Sequence, residues 1–212
     1  MDVTFDNDLV NAIGQIEALR QNLLRSSDCI EVHDCGAGSR VFKGKSRQVK
    51  KIARHVLQSK RVTFALLRVL IFWRSQGRSM KILEMGTSLG LTTAYFAASG
   101  WDVETWEGCQ QTTNYARKNW KALGCDGQIN SKVGTFMSLM EESQGGWDVV
   151  FLDGHHDRDA TLAYVECLKT KLNPGGAILV DDIDWSKGMK EAWEKLLDDP
   201  HWNATMKWRG KG

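Results

Sequence analysis

Proline is nearly missing from this chain: Pro174 and Pro200 are the only two in 212 residues. No proline-rich linker therefore divides it, and no internal repeat or low-complexity tract does so either. Cysteine forms no framework. Cys29, Cys35, Cys109, Cys125 and Cys167 are odd in number and contain no C-x-x-C pair. That argues against a disulfide scaffold and a structural zinc site, and fits a reducing cytosol. A long hydrophobic run is also lacking. The most apolar stretch, "FALLRVLIFW" (64–73), is interrupted by Arg68 and is far too short to span a bilayer. It reads as a core helix, and no membrane partner is expected. The first residues, "MDVTFDNDLV", carry acids where a secretory signal carries bases, and no apolar stretch follows. A cytoplasmic protein is the expectation.

Acids are absent over one long segment. Between Cys35 and Leu83 there is no Asp or Glu but there are 13 Lys or Arg, so the rest of a chain of net charge +2 carries a net of −11. Within "KSRQVKKIARHVL", helical periodicity puts Arg47, Lys50, Lys51 and Arg54 on one face. Val49, Ile52, Ala53, Val56 and Leu57 fall on the other. The basic face reads as a solvated surface or as a contact for an anionic substrate or partner, nucleic acid included.

What remains has a clear order. The spacing of Leu9, Ile13, Ile16, Leu23 and Leu24 predicts a helix over 8–25, capped by Asp6 or Asn7. "CIEV" reads as a short strand before the loop "HDCGAGSR", and basic-apolar helices follow at about 46–58 and 63–75. From Met80 the pattern becomes strand–helix alternation. "KILEM", "WDVETWE", "QINSKVG", "WDVVFLD" and "AILVDDI" read as strands. "LGLTTAYFAASG", "TTNYARKNWKALG", "RDATLAYVECLKTKL" and "SKGMKEAWEKLL" read as helices, and "NPGG" as a turn. Apolar strands alternating with helices predict an α/β fold: a Rossmann-like, mostly parallel twisted sheet covered on both faces. We expect one domain over 1–212, with 1–79 a helical extension or cap and 80–212 the α/β core. Ligands of such sheets lie beyond the carboxyl ends of the strands, so the residues ending each strand should carry the chemistry.

In "LEMGTSLG" (83–90) the first strand ends in Glu84 and breaks into a turn containing Gly86, Ser88 and Gly90. Gly86 has no Cβ to obstruct a ligand, and the following helix directs its free N–H groups at the same space. A dinucleotide fingerprint needs glycine at 88 and 91, where Ser88 and Leu91 stand, so the nicotinamide reading fails. Glu107 ends the second strand, where a carboxylate can accept both hydroxyls of a ribose. An acid before the glycine turn suits a cationic group better than a pyrophosphate. Together these features point to a nucleoside with an amino-acid tail, S-adenosylmethionine. Asp153 ends the fourth strand, and Asp181 and Asp182 end the fifth. Three hard carboxylates at neighbouring strand ends suit Mg²⁺ or another divalent cation, although the acid pair can equally cap the following turn. His155 and His156 follow Asp153, and a histidine near neutral pKa can act as general base. Trp185 can line a pocket or simply pack.

The ordered set "LEMGTSLGLTTAYFA", "VETWEG", "WDVVFLDGHHDRDATLAY" and "LNPGGAILVDDIDW" resembles the class I S-adenosylmethionine-dependent methyltransferases. It is similar above all to the small metal-dependent O-methyltransferases of the catechol and macrolide-sugar type, over about residues 80–198. The resemblance implies that Glu84 and Gly86 hold the methionine end, with Thr92 near its carboxylate and Glu107 on the ribose. It places Gly134 and Thr135 beside the adenine, and a metal on Asp153, Asp181 and Asp182. It also puts His156 where the catechol enzyme has its catalytic lysine, three positions after the first metal acid. The chemistry implied is O-methylation of a small hydroxylated substrate. A nucleic-acid methyltransferase using the basic segment is the alternative, but the Asp/Asn-Pro-Pro-Tyr turn of many base methyltransferases is absent. A non-catalytic S-adenosylmethionine-binding module is the other. The sequence departs from the family after Leu197. "WNATMKW" can make one strand, where the fold usually adds two. An unfinished apolar edge invites a partner strand, so a homodimer is expected, with "FALLRVLIFW" available to the same contact.

Overall fold

The computed structural model describes residues 5–33, 44–75, 81–208 and 210–211. The predicted loop "HDCGAGSR" lies, from Asp34 onward, outside the described residues, as does Cys35. The core is a parallel sheet of five strands, β3 (Lys81–Met85), β4 (Asp102–Glu107), β5 (Ile129–Val133), β6 (Trp147–Leu152) and β7 (Leu172–Val180). Their order is β5-β4-β3-β6-β7. The chain winds outward from β3 to β5, then returns to the other side of β3 with β6. The switch point therefore falls between the carboxyl ends of β3 and β6, where open sheets of this kind form their ligand crevice.

Strand alternation divides the side chains between two layers. Ile82, Val103, Val149 and Phe151 meet α3 (Lys60–Ser75) and α4 (Leu91–Ala98) on one face. Leu83, Met85, Trp106, Val150 and Leu152 meet α7 (Arg158–Lys169) and α8 (Lys187–Leu197) on the other. Ser186 caps α8 and Asp157 caps α7, each accepting a backbone N–H from the first turn. On the α4 side the sheet gains a further layer. α1 (Asn7–Arg25), capped by Asp6 as predicted, packs with α2 (Val49–His55), α4 and α5 (Gln110–Leu123) around Ile13, Ile16, Ile52 and Tyr95. A hydrogen bond from the Tyr95 hydroxyl to the Glu17 carboxylate ties this addition to the core.

Four local readings are corrected. Ser46–Gln48 is a strand, β2, rather than the start of a helix, because it pairs antiparallel with β1 (Cys29–Glu31). "NPGG" is not a turn before a strand but a bulge inside β7: Trp147 faces Leu172 while Val149 faces Ala177, and Gly175 takes φ +75°. A short helix, α6 (Phe136–Glu142), follows β5, capped by Thr135. "WNATMKW" forms no strand. Residues 203–207 are exposed and lack the alternate burial that a strand against the sheet would show, so β7 remains an edge among the described residues. In α3, Thr63, Leu66, Leu67 and Leu70 are buried inside the subunit, leaving Val69 as a large exposed apolar side chain. Among the described residues no helix is long and apolar enough to cross a membrane.

Candidate active site

A cavity of about 430 Å³ opens at the carboxyl ends of β3, β4, β5 and β6. Its floor is the switch point. Gly86, at φ +120°, lies so close to β6 that a Cβ there would sit 2.2 Å from the Asp153 carbonyl oxygen. Only glycine lets the two strand ends converge in this way. Gly90 is required for a different reason. It starts α4 in the left-handed region, and a Cβ there would meet the indole Nε1 of Trp120 at 2.4 Å, the same nitrogen that donates to the Gly90 carbonyl.

Glu107 occupies the cavity wall at the end of β4. One carboxylate oxygen accepts the Ser88 N–H at 3.0 Å and the other accepts the Cys109 N–H at 3.1 Å. A carboxylate has about four acceptor positions, and these two amides take one on each oxygen. Ser88 reaches this geometry at φ +49°. Across the cavity Gly134, Thr135 and Phe136 form a wall after β5, and Asp153, Gly154, His155 and Tyr164 form another after β6. His155 Nδ1 lies 2.5 Å from the Tyr164 hydroxyl. The roof comes from the N-terminal addition: Val32, His33, Arg47, Ile52 and Val56. Arg47 was legible only as part of a basic face, and the structure turns it to this wall, while Lys51 and Arg54 remain exposed.

Of the predicted cofactor residues, Gly86, Ser88, Glu107, Gly134 and Thr135 thus border one cavity. Glu84 and Thr92 do not. Both are buried, and Glu84 faces the sheet–helix interface, where the hydroxyls of Thr93 and Thr105 donate to one of its oxygens. Burial pushes the Glu84 carboxyl up from 4.5 to about 8, outweighing the two threonine donors, and the nearby Asp153 and Glu107 charges raise it further. In this arrangement Glu84 fastens β3 to β4 and α4 beneath the glycine turn.

The three predicted metal acids do converge, but both oxygens of Asp181 and one of Asp153 already accept hydrogen bonds. The Gln58 amide donates to Asp153 at 3.0 Å and also to Asp181. The Lys211 ammonium contacts Asp181 and lies 3.7 Å from Asp182. His156 Nε2 sits 4.0 Å from Asp153 and 3.8 Å from Asp182, so it belongs to this acid cluster rather than to the cavity wall. Burial raises the Asp153 carboxyl, opposed by His156, Gln58 and Lys211, and burial lowers the Lys211 ammonium. Mg²⁺ requires near-octahedral oxygen ligands, and both oxygens of Asp181 here accept hydrogen bonds. Among the described residues no three His, Cys, Asp or Glu side chains are disposed to hold a metal ion. As arranged, the residues do not fit one. Lys211 and Gln58 lay outside the sequence reading, because contacts made from irregular segments leave no periodic signal.

Residues 83–183 match the family model described as a methyltransferase domain. Among solved structures, the chain is similar to an O-methyltransferase from Bacillus cereus in complex with SAH, at 18% identity and TM-score 0.59, with 93% of this chain and 82% of that one covered. It is also similar to TomG, a Streptomyces achromogenes O-methyltransferase involved in tomaymycin synthesis and solved with SAM, at 14% identity, TM-score 0.58, and coverage of 93% and 80%. A third is the SAH-bound methyltransferase PaMTH1 of Podospora anserina, at 15% identity, TM-score 0.57, and coverage of 94% and 91%. No curated protein matches by sequence. The matched segment is similar to a methyltransferase domain, and the fold is shared with these solved methyltransferases. Its architecture is that of the small O-methyltransferases.

Proposed function

We propose that the protein transfers the methyl group of S-adenosylmethionine to a hydroxyl group of a small molecule. The observation that carries this reading is the Glu107 carboxylate on the cavity wall, held beside the glycine turn by the Ser88 and Cys109 amides. In this reading Glu107 accepts the ribose hydroxyls. Gly134 and Thr135 border the adenine, and the Gly86–Ser88 turn faces the methionine end. Arg47, on the roof, supplies a cation for the methionine carboxylate in place of Thr92. The SAM- and SAH-bound neighbours support the choice of cofactor.

The acceptor oxygen attacks the sulfonium methyl carbon in line, the carbon–sulfur bond breaks, and S-adenosylhomocysteine leaves. The oxygen must lose a proton in the same step. Asp153 lies on the wall and His156 behind it, so this pair takes that proton in our reading. A soluble, cytosolic enzyme that forms a homodimer through the β7 edge completes the proposal. The test is release of S-adenosylhomocysteine from a panel of hydroxylated acceptors, with His156→Ala beside His155→Ala. We expect turnover to fall about a hundredfold or more in the first variant while cofactor affinity holds. Binding of S-adenosylmethionine without turnover on any acceptor would instead favour a non-catalytic module.

A further inference from the structure

We propose that the acid cluster formed by Asp153, Asp181 and Asp182 is a cation site filled from within the chain, with the Lys211 ammonium as its resident cation instead of a divalent metal. Three observations converge on this. Asp181 is fully buried, and Lys211 and Asp182 are the partners that its first oxygen meets, through the ammonium and a backbone N–H. The second oxygen accepts from Gln58, which bridges to Asp153. The segment carrying Lys211 is held in place by contacts of its own. Gly210 accepts the Ile183 N–H at 2.9 Å, Trp208 and Lys211 exchange backbone hydrogen bonds of 2.8 and 2.9 Å, and Lys207 pairs with Asp184 at 2.8 Å. Lysine delivery into the cluster is therefore built from several points.

A buried carboxylate needs a compensating charge, and either a metal ion or an ammonium can provide it. The ammonium brings three N–H donors and no open coordination position. A divalent ion would have to displace both Lys211 and Gln58 before it met an oxygen of Asp181. Lys211 is then a positioning residue: it holds Asp181 and Asp182, and through Gln58 the carboxylate of Asp153 on the cavity wall. This proposal deepens the reading of the site as a methyltransferase's, yet it concerns cation binding alone. Either can fail without the other.

The test is Mn²⁺ binding followed by electron paramagnetic resonance, on wild type, Lys211→Met and Lys211→Arg, without cofactor or acceptor. Wild type and Lys211→Arg should show no saturable Mn²⁺ site. Lys211→Met, which leaves the three carboxylates without their cation, should bind one Mn²⁺ at least about tenfold more tightly than wild type. Should that variant be unfolded alone, Mn²⁺ should restore its melting transition while leaving that of wild type unchanged. Saturable binding of Mn²⁺ by wild type overturns the proposal. So does a Lys211→Met protein that neither binds Mn²⁺ nor is rescued by it.

Discussion

Replacing Glu84 with glutamine should make the protein more stable, and increasingly so as the pH rises. The carboxyl is 1% exposed and moves from 4.5 to about 8 on folding, with burial as the main cause. An acid whose folded pKa is raised binds its proton more tightly in the native state than in the unfolded one. Stability is therefore intact below about pH 4.5 and falls as the pH climbs toward 8, the unfolded chain alone releasing the proton in that window. Each step of one pH unit costs about 1.4 kcal/mol, which sets a ceiling of about 5 kcal/mol at pH 8. Water entry and local relaxation reduce this, and we expect a measured gain of about 2 kcal/mol for Glu84→Gln over wild type between pH 5 and pH 8. Glutamine retains a carbonyl oxygen able to accept from Thr93 and Thr105, so the fastening of β3 to its neighbours survives. The assay is urea denaturation of both proteins across that range. Asp153 is also raised by burial, but it is present in both proteins, so its contribution largely cancels in the difference. A gap between the two that does not grow with pH would refute the assignment of a buried, proton-retaining Glu84.

Glu107→Ala should weaken S-adenosylmethionine binding at least about tenfold in calorimetric titration, since each charge-assisted hydrogen bond lost is worth about 1.5–3 kcal/mol. Its melting temperature should change much less than its cofactor affinity, because the Ser88 amide it releases borders an open cavity. Gly90→Ala should cost about 2–4 kcal/mol in chemical denaturation, combining left-handed backbone strain with the clash against Trp120. Light scattering over a wide concentration range should give a dimer, whose contact buries at least about 1,000 Å² in total; a monomer at every concentration would end that expectation.

Strand and helix positions in the core were legible because the elements are short and punctuated by glycine, Gly86 after the strand β3 and Gly100 and Gly124 after the helices α4 and α5. The same regularity marked the strand ends, and so Glu107, Asp153, Asp181 and Asp182. Orientation was legible only in part. Strand parity places Glu84 on the same face as Ile82, toward α4, and that parity favours the interface over the crevice. The resemblance assigned it to the cofactor instead. The roof was hidden for another reason. Val32 and Arg47 reach the cavity because β1 and β2 pair, and a pairing of three residues each has too little alternation to declare itself. α6 escaped similarly, since seven residues give less than two full periods, although Thr135 with Ser138 was an available capping signal. Lys211 left the least trace, being a single cation in an exposed, aperiodic segment whose partners lie about thirty positions away.

The backbone itself adds an argument that none of those signals contains. Among the described residues only Ser88, His155 and Asp182 adopt positive φ without being glycine, at +49°, +65° and +53°. Each follows the carboxyl end of a different strand, β3, β6 and β7. Such conformations cost about 1–3 kcal/mol apiece and persist only where surrounding contacts over-determine them. Those contacts are visible: Ser88 donates to Glu107, His155 meets the Tyr164 hydroxyl, and the Asp182 N–H donates to Asp181. A fold free to minimise strain would place glycine at these turns, as it does at Gly86 and Gly90. Here side chains are retained instead, and two of the three border the cavity while the third belongs to the acid cluster beside it. Concentration of backbone strain at one end of the sheet, and nowhere else among the described residues, locates the working end independently of any motif.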